Sequence, residues 1–299
     1  MIVFNVQRRA RETQTAAEAA PRSGRFVQTG DVRIFVQEAG PADAPAVLLV
    51  HGTGTWSEIW RETIDALAVD HRVIAVDLPP FGYSDKPLHA GAYTREAQAR
   101  RIIHLLDQMG IERVTLVAHS VGARPSVEAA LEAPQRIARL ILIDPALGFE
   151  SKPPSAAMRT FFNTPSLRTS VISAYGTNPL FLRQMFRSFV SNKAAVTDRR
   201  LAVIRQPMAI RNTTAAYGAW LSILMTADDR WDFRRLTMPV GIIWGRTDTV
   251  TPLWQGERLH ALIPHSRLVV LEGAGHIPYI EDPPRFTAAL RALLWSGGL

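Results

Sequence analysis

Short apolar runs punctuate the chain: Ala46–Val50, Val73–Val76, Val114–Val117, Leu140–Ile143, Val240–Trp244 and Leu268–Leu271. None of them alternates with polar residues, as a strand with one wet face would. Unbroken runs of this length predict strands buried on both faces of a parallel sheet. Between them lie helical periodicities at Glu58–Leu67, Thr94–Met109, Val121–Leu131, Leu253–Ile263 and Pro284–Trp295, with Gly110 as a helix stop. Ahead of the first run, Phe26–Gln28 and Val32–Val36 alternate around the turn pair Gly30-Asp31, which predicts a hairpin. Strands alternating with helices predict an α/β fold with a doubly wound, mostly parallel sheet.

The alternation breaks between about Phe149 and Leu236, where no strand-like run occurs and large side chains gather: Phe161, Phe162, Phe181, Met185, Phe186, Phe189, Met208, Tyr217, Trp220 and Met225. Phe181, Met185 and Phe189 recur every four residues, beside Leu182 and Phe186, with Arg183 and Arg187 facing away, as on an amphipathic helix. A helical insertion between two strands reads as a cap over the sheet's C-terminal edge, where open α/β sheets hold their ligands. The expected organisation is an N-terminal extension at 1–24, a first core part at 25–148, a helical cap at 149–236 and a second core part at 237–299.

With 299 residues and 47% hydrophobic side chains, the chain can bury a large core. It has no Cys, which excludes disulfides, thiol nucleophiles and Cys-based metal sites. The formal net charge of +7 is unevenly placed: Glu150–Arg235 carries thirteen Lys or Arg against five Asp or Glu, and the rest is close to neutral. A basic excess confined to one segment suits an anionic ligand or lipid surface, or a solvated helical face. No basic stripe with interleaved aromatics points to nucleic acid. At the N-terminus, Met1–Val6 is far too short to span a bilayer and precedes Arg8-Arg9-Ala10-Arg11. It has the look of the tail end of a membrane anchor or a weak peripheral one. The preferred reading is a frayed Ala-rich helix over Thr13–Ala20. The expected location is cytoplasmic, with membrane association as the variant.

The chemistry concentrates at strand ends. Ser120 follows the Val114–Val117 run within Ala118-His119-Ser120-Val121-Gly122, the setting of a nucleophile elbow, where positions two before and two after the serine must be small. Ala118 departs from the usual glycine. Serine needs a base, and the base an acid to orient it. Of eight histidines, His276 stands in the Gly-rich loop Glu272-Gly273-Ala274-Gly275-His276 directly after the last strand. The acid is Asp248, after Trp244-Gly245-Arg246-Thr247, with Asp144 at a comparable strand end as runner-up. The order serine, acid, histidine is that of a hydrolase triad on such a sheet. Two backbone donors would hold the developing oxyanion: Val121 N–H and Thr53 N–H in His51-Gly52-Thr53-Gly54-Thr55-Trp56, with Gly54 as alternative. His51 is expected to tie that loop rather than act as a base. From the insertion, Phe181, Met185 and Trp220 are expected to line the substrate pocket.

These motifs, with Asp77-Leu78-Pro79-Pro80-Phe81-Gly82-Tyr83-Ser84-Asp85, resemble the α/β-hydrolase superfamily over about Phe26–Leu299. The resemblance implies Ser120 as nucleophile, Asp248 as acid and His276 as base. It argues against the aspartate-nucleophile relatives, the haloalkane dehalogenases and epoxide hydrolases. Serine carbon–carbon hydrolases and perhydrolases share the triad, although the former usually carry a Gly-Pro-Gly element that Thr53-Gly54-Thr55 lacks. The expected function is hydrolysis of a hydrophobic small-molecule carboxylic ester through an acyl-enzyme, without cofactor or metal. The alternatives are carbon–carbon cleavage of a dienone acid and a non-catalytic small-molecule-binding protein. Peripheral contact with anionic lipid is a further expectation.

Overall fold

The computed structural model describes residue 8, residues 10–149, residue 160 and residues 164–226 and 230–295. The apolar stretch Met1–Val6, Arg9, Glu150, Phe161 and Phe162 lie outside the described residues. The strands are β1 Gly24–Gln28, β2 Arg33–Ala39, β3 Ala46–Val50, β4 Arg72–Val76, β5 Val114–His119, β6 Ile137–Ile143, β7 Val240–Gly245 and β8 Arg267–Leu271. They form one sheet in the order β1-β2-β4-β3-β5-β6-β7-β8. The hairpin β1–β2 pairs Phe26 with Phe35, and β2 joins β4 antiparallel. From β4 to β8 every pairing is parallel.

The unbroken apolar runs have a direct cause. Alternate residues point to opposite faces, and helices cover both faces. Leu48, Ile74, Leu116, Leu142 and Ile242 enter a core with Ile102, Leu105, Val127 and Leu259, from helices Arg95–Gln108, Ala123–Glu132 and Leu253–Leu262. Val47, Val73, Val117, Ile141 and Ile243 enter a second core with Ile64, Leu67, Phe286 and Leu290, from helices Arg61–Leu67 and Pro283–Trp295. Two of the expected helices begin with a 3-10 turn: Ser57–Trp60 precedes Arg61–Leu67, and Ser120–Gly122 precedes Ala123–Glu132. The tighter turn starts each helix immediately beyond a loop that closes over the sheet edge.

The described part of the chain between β6 and β7 is helical, with helices Pro165–Thr177, Pro179–Phe189, Asp198–Arg205 and Thr213–Thr226. Pro179–Phe189 starts with Pro at its first turn, and the Asn178 side chain accepts from Leu180 and Phe181 N–H. Its buried stripe runs through Leu182 and Phe186, each 1% exposed, with Met185 and Phe189 packed alongside. Burying each of those two side chains contributes roughly 2 kcal/mol. Phe181 is 47% exposed, which corrects the stripe expected through it. One residue is a 100° step around a helix, so Phe181 falls on the shoulder of a stripe centred on Leu182. Among the described residues no helix is long and apolar enough to cross a membrane.

The N-terminal segment is tied down rather than frayed. Thr15 and Glu18 form a reciprocal capping box on a helix shortened to Ala16–Ala19. Gln14 bridges to Ile210, Arg11 donates to Met208 O and Thr214 Oγ1, and Glu12 accepts from Thr214 N–H. The segment therefore straps onto the helical insertion.

The loop after β4 is built on Asp77, which is wholly buried and accepts from Ser57 N–H at 2.6 Å and Tyr83 N–H at 2.7 Å. Burial pushes its carboxyl up to about 6. Lys86 stands behind the loop, its ammonium donating to the carbonyls of Pro80, Gly82 and Ser84, and burial pushes it down to about 8. This loop carries Phe81, which packs between Tyr217 and Trp220 of the insertion. Asp77→Ala orphans two buried N–H groups and should destabilise the fold by on the order of 3 kcal/mol. Urea unfolding checks this, and an unchanged midpoint would mean that the loop closes without its anchor.

Candidate active site

β5 delivers Ser120 to the sheet's C-terminal edge in a left-handed backbone conformation, φ +52°. A non-glycine residue there is strained by about 1–3 kcal/mol and persists only where its surroundings hold it. They do so by close backbone approach. A Cβ on Gly122 would lie 2.4 Å from His51 O, and one on Gly52 would lie 2.6 Å from His119 Nδ1 and 3.0 Å from Ser120 Cβ. Glycine is therefore required at both positions. Ala118, two before the serine, pairs with Val50 and Leu142 inside the sheet, and its methyl group joins the first core. That is why alanine serves at this end of the elbow.

The structure brings Ser120, His276 and Asp248 together, each buried. His276 Nδ1 lies 2.7 Å from Asp248 Oδ2, and His276 Nε2 lies 3.0 Å from Ser120 Oγ. A carboxylate only accepts, so Nδ1 carries the proton and donates, which leaves Nε2 free to accept from the serine hydroxyl. Asp248 is fixed in turn: Oδ1 accepts from Val250 and Thr251 N–H, and Oδ2 also accepts from Thr251 Oγ1 at 2.6 Å. Asp144, the other strand-end acid, is wholly buried. Its Oδ1 accepts from Gly245 N–H at 2.8 Å, and among the described residues its Oδ2 receives no donor. Asp248, not Asp144, holds the imidazole.

The loop bearing His276 is braced through its backbone. His276 N–H donates to Phe189 O at 2.8 Å, and His276 O accepts from His119 Nε2 at 2.8 Å. His119 Nδ1 then accepts from Tyr279 OH at 3.0 Å. Burial, with the neighbouring His276, holds His119 well below the usual histidine range, so it is a neutral strut. Glu281 accepts Gly275 N–H on one oxygen and Ser191 and Asn192 N–H on the other. It thus ties the histidine loop to the segment leaving helix Pro179–Phe189. Burial raises its pKa against the pull of those N–H groups. Tyr279 and Glu281 were not anticipated from the sequence. Their only signal is an aromatic and an acid within five residues of the expected base.

A cavity of about 50 Å³ opens beside Val121, lined by Phe81, Trp220, Leu224, Arg95 and Arg124 among others. Arg95 lies 4.4 Å over the Trp231 ring and pairs with Glu128 at 3.1 Å, while Arg124 donates to Ala146 O at 3.2 Å. Of the three insertion residues expected at the pocket, Trp220 lines this cavity, Met185 packs into the second core, and Phe181 faces solvent. Thr53 is exposed in a loop whose Gly52 presses on Ser120, and Val121 borders the cavity. His51 is buried. Its Nδ1 lies 2.8 Å from Gly52 O and donates to it, and its Nε2 accepts Leu78 N–H at 3.2 Å. Burial pushes His51 down to about 4, so it ties the loop as a neutral group.

A strained strand-to-helix serine, a braced histidine loop and a strand-end acid on one parallel sheet define a class. Residues 45–283 match the family model of the alpha/beta hydrolase fold. The chain belongs to the α/β-hydrolase family. It is 33% identical to an uncharacterised protein of Mycobacterium tuberculosis, over 97% of this chain and 91% of the relative. It is 28% identical to the 2-hydroxy-6-oxononadienedioate/2-hydroxy-6-oxononatrienedioate hydrolase of Cupriavidus pinatubonensis, over 91% of this chain and 95% of that enzyme. Among solved structures it is similar to a thermophilic esterase of Thermogutta terrifontis, with a TM-score of 0.72 and 25% identity, over 91% of this chain and 97% of the esterase.

Glu281→Ala keeps the Ser120, Asp248 and His276 side chains but frees the loop that presents His276. A misplacement of about 1 Å at reacting groups costs up to roughly 10²-fold. The expected result is a kcat at least about tenfold lower with substrate KM little changed. Steady-state kinetics on a folded variant checks it, and wild-type kcat would show that the brace is dispensable.

Proposed function

We propose that the protein is a serine hydrolase that cleaves a carboxylic ester of a hydrophobic small molecule through an acyl-enzyme. The carrying observation is the buried relay from Ser120 Oγ to His276 Nε2 at 3.0 Å and from His276 Nδ1 to Asp248 Oδ2 at 2.7 Å. Ser120 Oγ attacks the ester carbonyl as His276 Nε2 takes its proton. The imidazolium, stabilised by Asp248, returns that proton to the leaving alkoxide. Water, activated by the same histidine, then releases the acid. Val121 N–H and Thr53 N–H, or Gly54 in place of the latter, would hold the oxyanion. The cavity by Val121 supports a compact apolar group on that side of the scissile bond. At about 50 Å³ it is far below the ~300 Å³ or more of a pocket for a drug-sized ligand.

A second reading, carbon–carbon cleavage of a dienone acid, is favoured by one observation. Two guanidinium groups, Arg95 and Arg124, line the cavity next to Val121, where an acid substrate would find positive charge. The activity in the name of the Cupriavidus relative is of this kind.

Hydrolysis of p-nitrophenyl esters from acetate to long chain, by wild type and Ser120→Ala in parallel, tests the ester reading. Removing the nucleophile should lower kcat/KM by at least about 10⁴-fold. Residual turnover near wild type would sink the mechanism. A chromogenic dienone acid run beside the esters separates the two readings: turnover of the acid and none of the esters selects carbon–carbon cleavage.

A further inference from the structure

The buried acid that the proposed relay does not use is Asp144. It directly follows β6 with φ +41°, a left-handed conformation rare for a residue other than glycine. Its side chain is wholly buried at the heart of the site. One oxygen accepts Gly245 N–H, and its own carbonyl lies 3.3 Å from Thr251 Oγ1. Thr251 Oγ1 gives its one proton to Asp248 Oδ2 at 2.6 Å, so the two aspartates flank one threonine. Among the described residues no N–H or O–H donates to Asp144 Oδ2. A buried carboxylate oxygen with no donor is costly, and the charge of Asp248 adds to that cost. The ordinary remedy is a proton on one of the two acids.

We propose that Asp144 is a positioning residue of the active site, a neutral carboxylic acid whose Oδ2–H donates to the Asp248 carboxylate behind His276. The pair then carries one negative charge rather than two, on the acid that faces the imidazole. Asp248 becomes a softer acceptor for the imidazolium formed during the reaction, and its orientation gains a contact from the β6 side. The environment agrees with this state. Burial first, then the charge and side-chain contact of Asp248, hold Asp144 well above the usual carboxylate range, with Glu281 adding to the shift. The other titratable groups at this edge are His276 on its loop, the neutral His119 at the end of β5, and Tyr279 and Glu281 on the short helix Pro278–Glu281. Burial holds the Tyr279 hydroxyl well above its usual range, with Arg200 pulling the other way, so it stays neutral. No cation among these groups would draw Asp144 into ionisation.

This inference rests on the proposed triad, and its test separates the two. Infrared difference spectra of wild type minus Asp144→Asn at about pH 8 should contain the carbonyl stretch of a protonated carboxylic acid, well above the Asp77 titration near 6. That arm requires no turnover. The second arm follows the pH dependence of Ser120 labelling by a fluorophosphonate. Asp144→Asn replaces one neutral donor by another and suits a left-handed backbone, so the acid limb should stay in place. Asp144→Ala removes the donor, leaves Asp248 a stronger acceptor, and should raise the apparent pKa of the acid limb by about 1. Circular dichroism confirms that each variant is folded, and the infrared arm stands on the Asn variant alone if the Ala variant does not fold. No protonated-acid band, an acid limb that falls in Asp144→Asn, or an unmoved limb in a folded Asp144→Ala would each overturn the proposal. The band without any labelling of Ser120 would instead overturn the serine mechanism and leave the shared proton standing.

Discussion

The hydrogen bond between His276 and Asp248 is the constraint from which the rest of the site follows. A carboxylate can only accept, so its contact with Nδ1 decides which ring nitrogen faces the serine. At 2.7 Å and wholly inside the protein, that contact leaves no second tautomer within reach of comparable energy. A mobile aspartate would undo it, and the two N–H groups of Val250 and Thr251 together with the Thr251 hydroxyl remove that freedom. The parallel sheet makes the meeting feasible. β5, β7 and β8 all run in one direction, so their C-terminal ends, and the loops that follow, open on the same edge.

The strain at Ser120 and the bracing of His276 are two sides of the same demand. Holding a side chain in an unfavourable backbone well requires neighbours that cannot relax, and the near-contacts at Gly52 and Gly122 supply them. Holding a histidine on a Gly-rich loop requires bonds to the loop's own backbone, and Phe189, His119 and Glu281 provide those. Two of these three anchors, Phe189 and Glu281, also bind or belong to the helical insertion and the segment that leaves it. The insertion is therefore wired to the loop of His276. A rigid shift of helix Pro179–Phe189 would carry Phe189 O, and with it the position of His276.

Much of this was legible in the sequence, and the limits have a physical origin. Runs such as Leu140–Ile143 report burial on both faces, and each proved to be a strand because period and burial are local properties. Ser120, Asp248 and His276 stood out because each follows a strand directly, so the fold class alone brings their loops to one edge. What stayed hidden depends on distant partners. Nothing near Glu281 announces that it will meet Ser191 N–H, ninety residues earlier in the chain. Nothing near Arg11 announces Thr214. Phe181 misled because a four-residue spacing fits two adjacent stripes of one helix, and only packing decides that Leu182 and Phe186 are the buried one. Asp144 and Asp248 were placed as rivals for one role, since sequence order cannot express that both could be present side by side.

Ester cleavage and carbon–carbon cleavage place the same first demands on a site of this kind. Both need a polarised carbonyl, a serine or a water delivered to it, and a proton relayed by an imidazole. They diverge in the leaving group, an alkoxide in one case and a carbon that must accept a proton in the other, and in whether the substrate brings a carboxylate. Neither difference is expressed at Ser120, His276 or Asp248. In the proposed readings both fall to the walls around Val121, where Phe81 and Trp220 present apolar surface and Arg95 and Arg124 present charge already engaged with Glu128 and with backbone carbonyls. An acid substrate would have to compete with those contacts, and the net gain of such an exchange is small unless the new pair is better desolvated than the old. An apolar acyl or alkyl group meets no such competition. The present occupation of the two guanidinium groups therefore weighs toward the ester.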